Sequence, residues 1–245
     1  MREIKILTKL SHHNNIVNII EAGEHRTAGH SIYIAMELCS KNLQTYINEN
    51  RQNPLNFPKS FSYSKQLVEG LLFLHENKII HRDLKPDNVL ISRCSEFIKL
   101  SDFGLSREVA DGQTHVTVTH ITAGSDGYRP PELYKTDPDQ AHVRPSSDIF
   151  PLGLVIHLIF SNGKHPFGDD PHDWSYNIRK NKNLDISRIP QFDPPNHRKR
   201  EQLLDLLGKM LNHEPSNRPT SQEVLDDHFF FRWELNDIFK SFTIF

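Results

Sequence analysis

Apolar residues along this chain follow several rhythms. Ile4, Ile6, Leu7 and Leu10 recur at the spacing of one helical face, which predicts the end of an amphipathic helix over residues 2–10. Val17–Ile20 and Ile32–Met36 are short strand-like runs. Glu37-Leu38-Cys39-Ser40 breaks the pattern before a short helix, Leu43–Asn48. Leu67, Val68, Leu71, Leu72 and Leu74 then mark a buried helix leading to His81. In the C-terminal half, an apolar helix is expected from Asp148 through Phe160, with Pro151 tolerated in its first turn. Leu203, Leu204, Leu207, Met210 and Leu211 mark another amphipathic helix. Thr220 with Glu223 forms a capping box for a last helix reaching about His228. These stripes are core, and none calls for a ligand.

Composition narrows the classes. The 245 residues carry 29 basic and 31 acidic side chains, which argues against a phosphate-backbone binder held by bulk charge. The cluster His197-Arg198-Lys199-Arg200 reads as the solvated start of a helix. Two cysteines, Cys39 and Cys94, imply no disulfide framework and suit a reducing compartment. No apolar run approaches the ~20 residues of a membrane helix, and residues 1–5 lack a signal-peptide core. The expectation is a soluble, cytoplasmic chain with neither a membrane segment nor a nucleic-acid partner.

Candidate chemistry concentrates in His81-Arg82-Asp83-Leu84-Lys85-Pro86-Asp87-Asn88, followed by Asp102-Phe103-Gly104. Phosphoryl transfer needs positioning and neutralisation of phosphate charge more than covalent help. Asp83 would accept the proton of an attacking hydroxyl or orient that hydroxyl, and Lys85 would place a cation against the same phosphate. Asn88 and Asp102 offer the hard oxygen ligands that Mg2+ takes. Arg82 is suited to hold a phosphorylated loop through paired hydrogen bonds. The run with this spacing resembles the catalytic loop of eukaryotic protein kinases.

That resemblance implies an α+β, two-lobed fold with ATP and Mg2+ as cofactors and a protein carrying Ser or Thr as substrate. Lys85, and Ser125 in Gly124-Ser125-Asp126-Gly127, point to the serine/threonine type. Residues 102–132 would be the activation segment, holding Ser106, Thr114, Thr117, Thr119, Thr122 and Ser125, one of whose middle threonines would take an autophosphorylation. Glu132 closes an Arg-Pro-Pro-Glu motif resembling the family's Ala-Pro-Glu, and Arg218 resembles its buried ion-pair partner. Ile34–Cys39, Leu43–Tyr46, Asp148-Ile149-Phe150 and His165–Gly168 are similar to the inositol-requiring kinase/endonucleases, the sensors of the unfolded-protein response. Through that likeness Met36 would be the gatekeeper, Glu37 and Cys39 would offer hinge backbone to adenine, and Leu90 would lie beneath the base. Leu7, Ile19, His81 and Phe103 would form a hydrophobic spine. Glu3, His81, Asp148 and Arg218 would be structural, and a homodimer follows from the resemblance alone.

Departures qualify the expectation. No G-x-G-x-x-G phosphate loop occurs, and no lysine can be assigned to pair with Glu3. The expected layout is an N-lobe cut short at residues 1–38, a hinge near 37–40, a helical C-lobe at 41–230 and a tail at 231–245, with no ribonuclease domain and no RNA cleavage. The rival is a catalytically weak pseudokinase or docking module.

Overall fold

The computed structural model describes residues 2–10, 12–25, 31–95, 97–118, 124–134, 141–192 and 196–230. Thr119, Thr122 and the expected tail lie outside them. Helix α1 (Arg2–Lys9) buries Ile6 and Leu7, with Glu3 in its first turn and Lys9 in its last, as the helix dipole favours. It packs against the antiparallel pair β1 (Ile19–His25) and β2 (Ser31–Met36). The expected strand Val17–Ile20 is divided. Ile16 bridges Leu100 in parallel and the Val17 amide donates to the Leu100 carbonyl (2.9 Å), so the ladder with β2 begins only at Ile19. Pairing with a different strand overrode the apolar run.

β3 (Lys41–Asn42), β5 (Val89–Ile91) and β6 (Ile98–Leu100) form a three-stranded antiparallel sheet. Asn42 also caps α2 (Leu43–Glu49), accepting from the Thr45 amide. α3 (Phe57–Glu76) is capped by Asn56 in the same way and has Pro58 in its first turn. Leu67, Val68, Leu71 and Leu74 on α3 are buried, and the helix delivers the chain to β4 (Ile79–Ile80). β4 pairs with β7 (Arg107–Glu108), and β8 (Val116–Val118) pairs with β9 (Ala141–Val143).

α4 (Ser146–Phe160) is buried from Ser147 to its last residue and forms the centre of the helical part. It begins two residues before the expected Asp148, so Pro151 lies inside the helix and not in its first turn. The missing N–H therefore forfeits an interior bond to the Ser147 carbonyl, a cost met by burial of nearly the whole helix. α5 (Pro171–Lys180), α6 (His197–Met210) and α7 (Ser221–Leu225) follow. The Thr220–Glu223 capping box forms as expected, but α7 ends at Leu225 and not near His228. The basic start of α6 is not wholly solvated. Lys199 is buried, and its Nζ donates to the carbonyls of His228 and Phe229 at 3.1 and 2.6 Å. No described helix is long and apolar enough to cross a membrane.

Candidate active site

The loop after β4 is fixed from beneath by one side chain. Asp148, in the first turn of α4, accepts from the His81 amide (2.7 Å) and the Arg82 amide (2.8 Å). His75 of α3 also reaches the Asp148 carboxylate at 3.2 Å and Ser221 of α7 at 3.1 Å. These bonds hold Arg82 at φ 73°, a conformation that an unbranched L residue adopts only when its surroundings impose it. The His81 ring is fully buried. Its Nε2 donates to the Ser101 carbonyl (3.0 Å) and its Nδ1 accepts from the Asp83 amide (3.3 Å), which requires the neutral tautomer. Burial pushes its pKa below the usual range, against the opposing pull of Asp148.

Asp83 is thereby presented with its carboxylate between four donors. Oδ1 accepts from the Ser125 amide and the Ser125 hydroxyl, both at 3.0 Å. Oδ2 accepts from Asn88 Nδ2 at 3.0 Å and lies 3.1 Å from Lys85 Nζ. Lys85 Nζ also donates to Ser125 Oγ at 2.5 Å. Burial alone would raise the Asp83 pKa, but Lys85 and then Ser125 outweigh it and hold the carboxyl below its ordinary value. Asn88 ends a single 3₁₀ turn opened by Pro86, and its Nδ2 also bonds the Asp83 carbonyl (2.8 Å). That directs the amide nitrogen to Asp83 and leaves the Oδ1 end for a cation.

Asp102 is exposed and stands at φ 61°, with one carboxylate oxygen accepting from the Gly104 amide at 3.3 Å. Beside it lies Glu3, whose pKa is raised by burial and then by Asp102, against a hydrogen bond from the Phe103 backbone. Phe103 is fully buried, its ring 5.2 Å from that of His81; Leu7 is buried in the same core and the half-buried Ile19 packs on it. The four proposed spine residues thus share one cluster. Met36 is exposed, and Glu37, Cys39 and Leu90 are half-buried. Burial and then Glu37 raise the Cys39 thiol pKa.

The described residues between Asp102 and Glu132 are tied down at several points. Arg82 Nη1 donates to the Leu105 carbonyl (3.0 Å) and Ser106 Oγ to the His81 carbonyl (3.1 Å). Thr114 and Thr117 are exposed, Thr117 on β8 opposite His142. Ser125 is held against Asp83 by a turn requiring glycine: Gly127 has φ 83°, and a Cβ there would come within 2.6 Å of Trp174. His165 supports that turn by donating from Nε2 to the Gly127 carbonyl (3.0 Å). Glu132 and Arg218 form a bidentate pair at 3.0 and 2.7 Å, with the Arg218 side chain 0% exposed and stacked 5.0 Å over Phe150.

The structure thus brings Asp83, Lys85, Asn88 and Ser125 into one hydrogen-bonded group and places Asp102 with Glu3 beside it. Sequence reasoning overlooked His75 and Lys99. Lys99 is buried and pairs with Glu37 at 2.8 Å. Its signal was a lone lysine between two aliphatic residues in Ile98-Lys99-Leu100, where a buried strand should have none.

Residues 1–230 match the protein kinase domain family, and the chain belongs to that family. Several of its curated relatives combine two activities in their names. The serine/threonine-protein kinase/endoribonuclease ire-1 of Caenorhabditis elegans is 32% identical over 214 residues, covering 82% of this chain and 20% of that protein. The human serine/threonine-protein kinase/endoribonuclease IRE2 is 32% identical over 237 residues, covering 94% of this chain and 24% of that protein. A probable serine/threonine-protein kinase of Dictyostelium discoideum, irlC, is 30% identical over 250 residues, with coverage of 95% and 16%. The chain therefore spans no more than about a quarter of the length of these relatives.

Proposed function

We propose that this chain is a serine/threonine protein kinase domain that transfers the γ-phosphate of ATP to a protein Ser or Thr hydroxyl. The observation that carries this reading is the Asp83 carboxylate held jointly by Lys85, Asn88 and Ser125, with Asp102 beside it. A carboxyl kept below its ordinary pKa is a weak proton acceptor, so Asp83 acts first by orienting the attacking hydroxyl. Lys85 meets the transferring phosphate. Asn88 Oδ1 and the Asp102 carboxylate would hold Mg2+, which when bound neutralises phosphate charge. Met36, Glu37, Cys39 and Leu90 border the adenine, with residues 1–38 above the cleft and 41–230 below it. Autophosphorylation at Thr114 or Thr117, a homodimer, and signalling of the unfolded-protein-response type from the cytosolic side belong to the same reading.

Radiolabelled phosphate transfer from MgATP, run beside Asp83→Asn, tests it. Transfer well above the variant is expected, and transfer equal to the variant rejects an active kinase. One observation favours the rival docking-module reading. Glu3 faces the Asp102 carboxylate, and after burial that like charge is the next largest cause raising the Glu3 pKa. MgATP affinity separates the two, since a docking module would bind its partner equally well without nucleotide.

A further inference from the structure

The strand that delivers Asp102 carries a cation in its interior. Lys99 stands directly opposite Leu90 in the β5–β6 ladder, so both side chains leave the sheet on one face. The Lys99 side chain is 8% exposed. Its Nζ lies 2.8 Å from Glu37 Oε1 and 3.4 Å from the Ile16 carbonyl. The same Glu37 oxygen accepts from the Asn18 amide (2.8 Å), while the Glu37 amide donates to the Asn18 carbonyl (3.0 Å). Three segments therefore meet at one carboxylate: residues 16–18, residues 36–38 and β6.

Packing does not explain a lysine here. Desolvating an ammonium is costly, and a buried pair often stabilises a fold no better than aliphatic side chains of the same volume. Valine or leucine would fill the position between Ile98 and Leu100. What the cation adds is direction: it fixes where the Glu37 carboxylate lies, and with it the peptide groups that follow. The Cys39 thiol senses both charges, Glu37 raising its pKa and Lys99 lowering it.

We propose that Lys99 is a positioning residue for nucleotide binding, which holds Glu37 so that the backbone of residues 37–39 faces the cleft in one orientation. Lys99 touches no ligand; it acts through Glu37. This rests on the reading of residues 37–39 as the adenine edge.

Lys99→Met, Lys99→Arg and Glu37→Gln are compared by two measurements. The first is amide hydrogen exchange in nucleotide-free protein. Lys99→Met and Glu37→Gln are expected to speed exchange at residues 16–18 and 37–40, leaving α3 and α4 unchanged, while Lys99→Arg retains the wild-type rates. The second is ADP affinity by calorimetry, expected to fall about tenfold in Lys99→Met, the usual scale for coupling through an intermediary, and to be largely restored in Lys99→Arg. Unchanged hinge exchange in Lys99→Met overturns the proposal. So does faster exchange with unaltered ADP affinity, since Lys99 would then serve the fold alone. Should Lys99→Met fold poorly, Glu37→Gln carries the same expectations and the same refutations. If the wild type binds no ADP, the adenine reading falls, and exchange at residues 37–40 alone decides whether Lys99 positions that backbone.

Discussion

Asp83 and Asp102 are held in opposite ways. Asp83 is buried and bonded by Ser125, Asn88 and Lys85, on a loop anchored through Asp148 to the most buried helix. Asp102 is exposed, on a turn with positive φ, with a carboxylate turned to Gly104 and beside the like charge of Glu3. One carboxylate is oriented by the protein in advance, and the other is bonded by a single backbone amide. Preorganisation favours the group that must meet a reacting hydroxyl in one geometry. An exposed carboxylate with a like charge nearby suits a site that takes a divalent cation.

Substituting each aspartate breaks the comparison most directly. Asp83→Asn should lower phosphate transfer about 10²–10⁴-fold while leaving the magnesium dependence of ADP binding unchanged by calorimetry. Asp102→Asn should abolish that magnesium dependence and shift unfolding free energy by no more than about 0.5 kcal/mol, because an exposed group beside a repelling neighbour is lost. Equal loss of magnesium-dependent binding in both variants would erase the distinction.

A second test removes a distant support of the Asp83 side. Arg218→Ala leaves Glu132 uncompensated and should cost about 3–5 kcal/mol in denaturant unfolding. The segment that carries Ser125 would then lose its far anchor. A cost below about 1 kcal/mol would mean that the pair behaves as a surface bridge.

Acid should act unequally on the two aspartates. Burial pushes the pKa of His165 down to about 3 and that of His157 to about 4. Between these values and the ordinary 6.5, the unfolded chain binds protons that the folded chain does not. Stability is thus complete above about pH 6.5 and falls as pH drops through that window, by up to about 1.4 kcal/mol per pH unit for each group. His165 Nδ1 accepts from the Phe167 amide while Nε2 supports Gly127, so protonation undoes the arrangement behind Ser125. His165→Gln should flatten the pH dependence of urea midpoints between pH 4 and 6.5; an unchanged slope would refute the assignment. The smallest effect is expected from Ser125→Ala, about 1 kcal/mol of stability for a lost hydrogen bond. The Asp83 pKa, followed by carboxyl NMR, should rise.

What could be read from the chain followed from spacing. His81–Asn88 with Asp102 indicated which groups would meet, and Thr220 with Glu223 gave a cap, because these depend on local geometry. Where partners are distant, spacing carried no signal, and the Glu132–Arg218 pair, 86 positions apart, was expected through the family resemblance alone. Val17 reads as part of a strand with Ile19, yet its amide belongs to Leu100. Pro151 reads as a first-turn residue, since nothing local shows that α4 begins at Ser146. Lys199 reads as solvated because its acceptors, the carbonyls of His228 and Phe229, lie a helix away. Lys99 and Glu37 are 62 positions apart, and neither announces the other.

Ser125 gives the site one further property. A carboxylate has about four lone-pair positions, and those of Asp83 are matched by the Ser125 amide, the Ser125 hydroxyl, Asn88 and Lys85. A substrate hydroxyl cannot simply add to this set; it must displace a resident donor. Exchange of one hydroxyl for another is nearly neutral in free energy, so on the proposed reading a Ser or Thr hydroxyl would arrive by substitution, with Ser125 stepping aside. In that sense Ser125 is a stand-in, occupying a position already shaped for an alcohol.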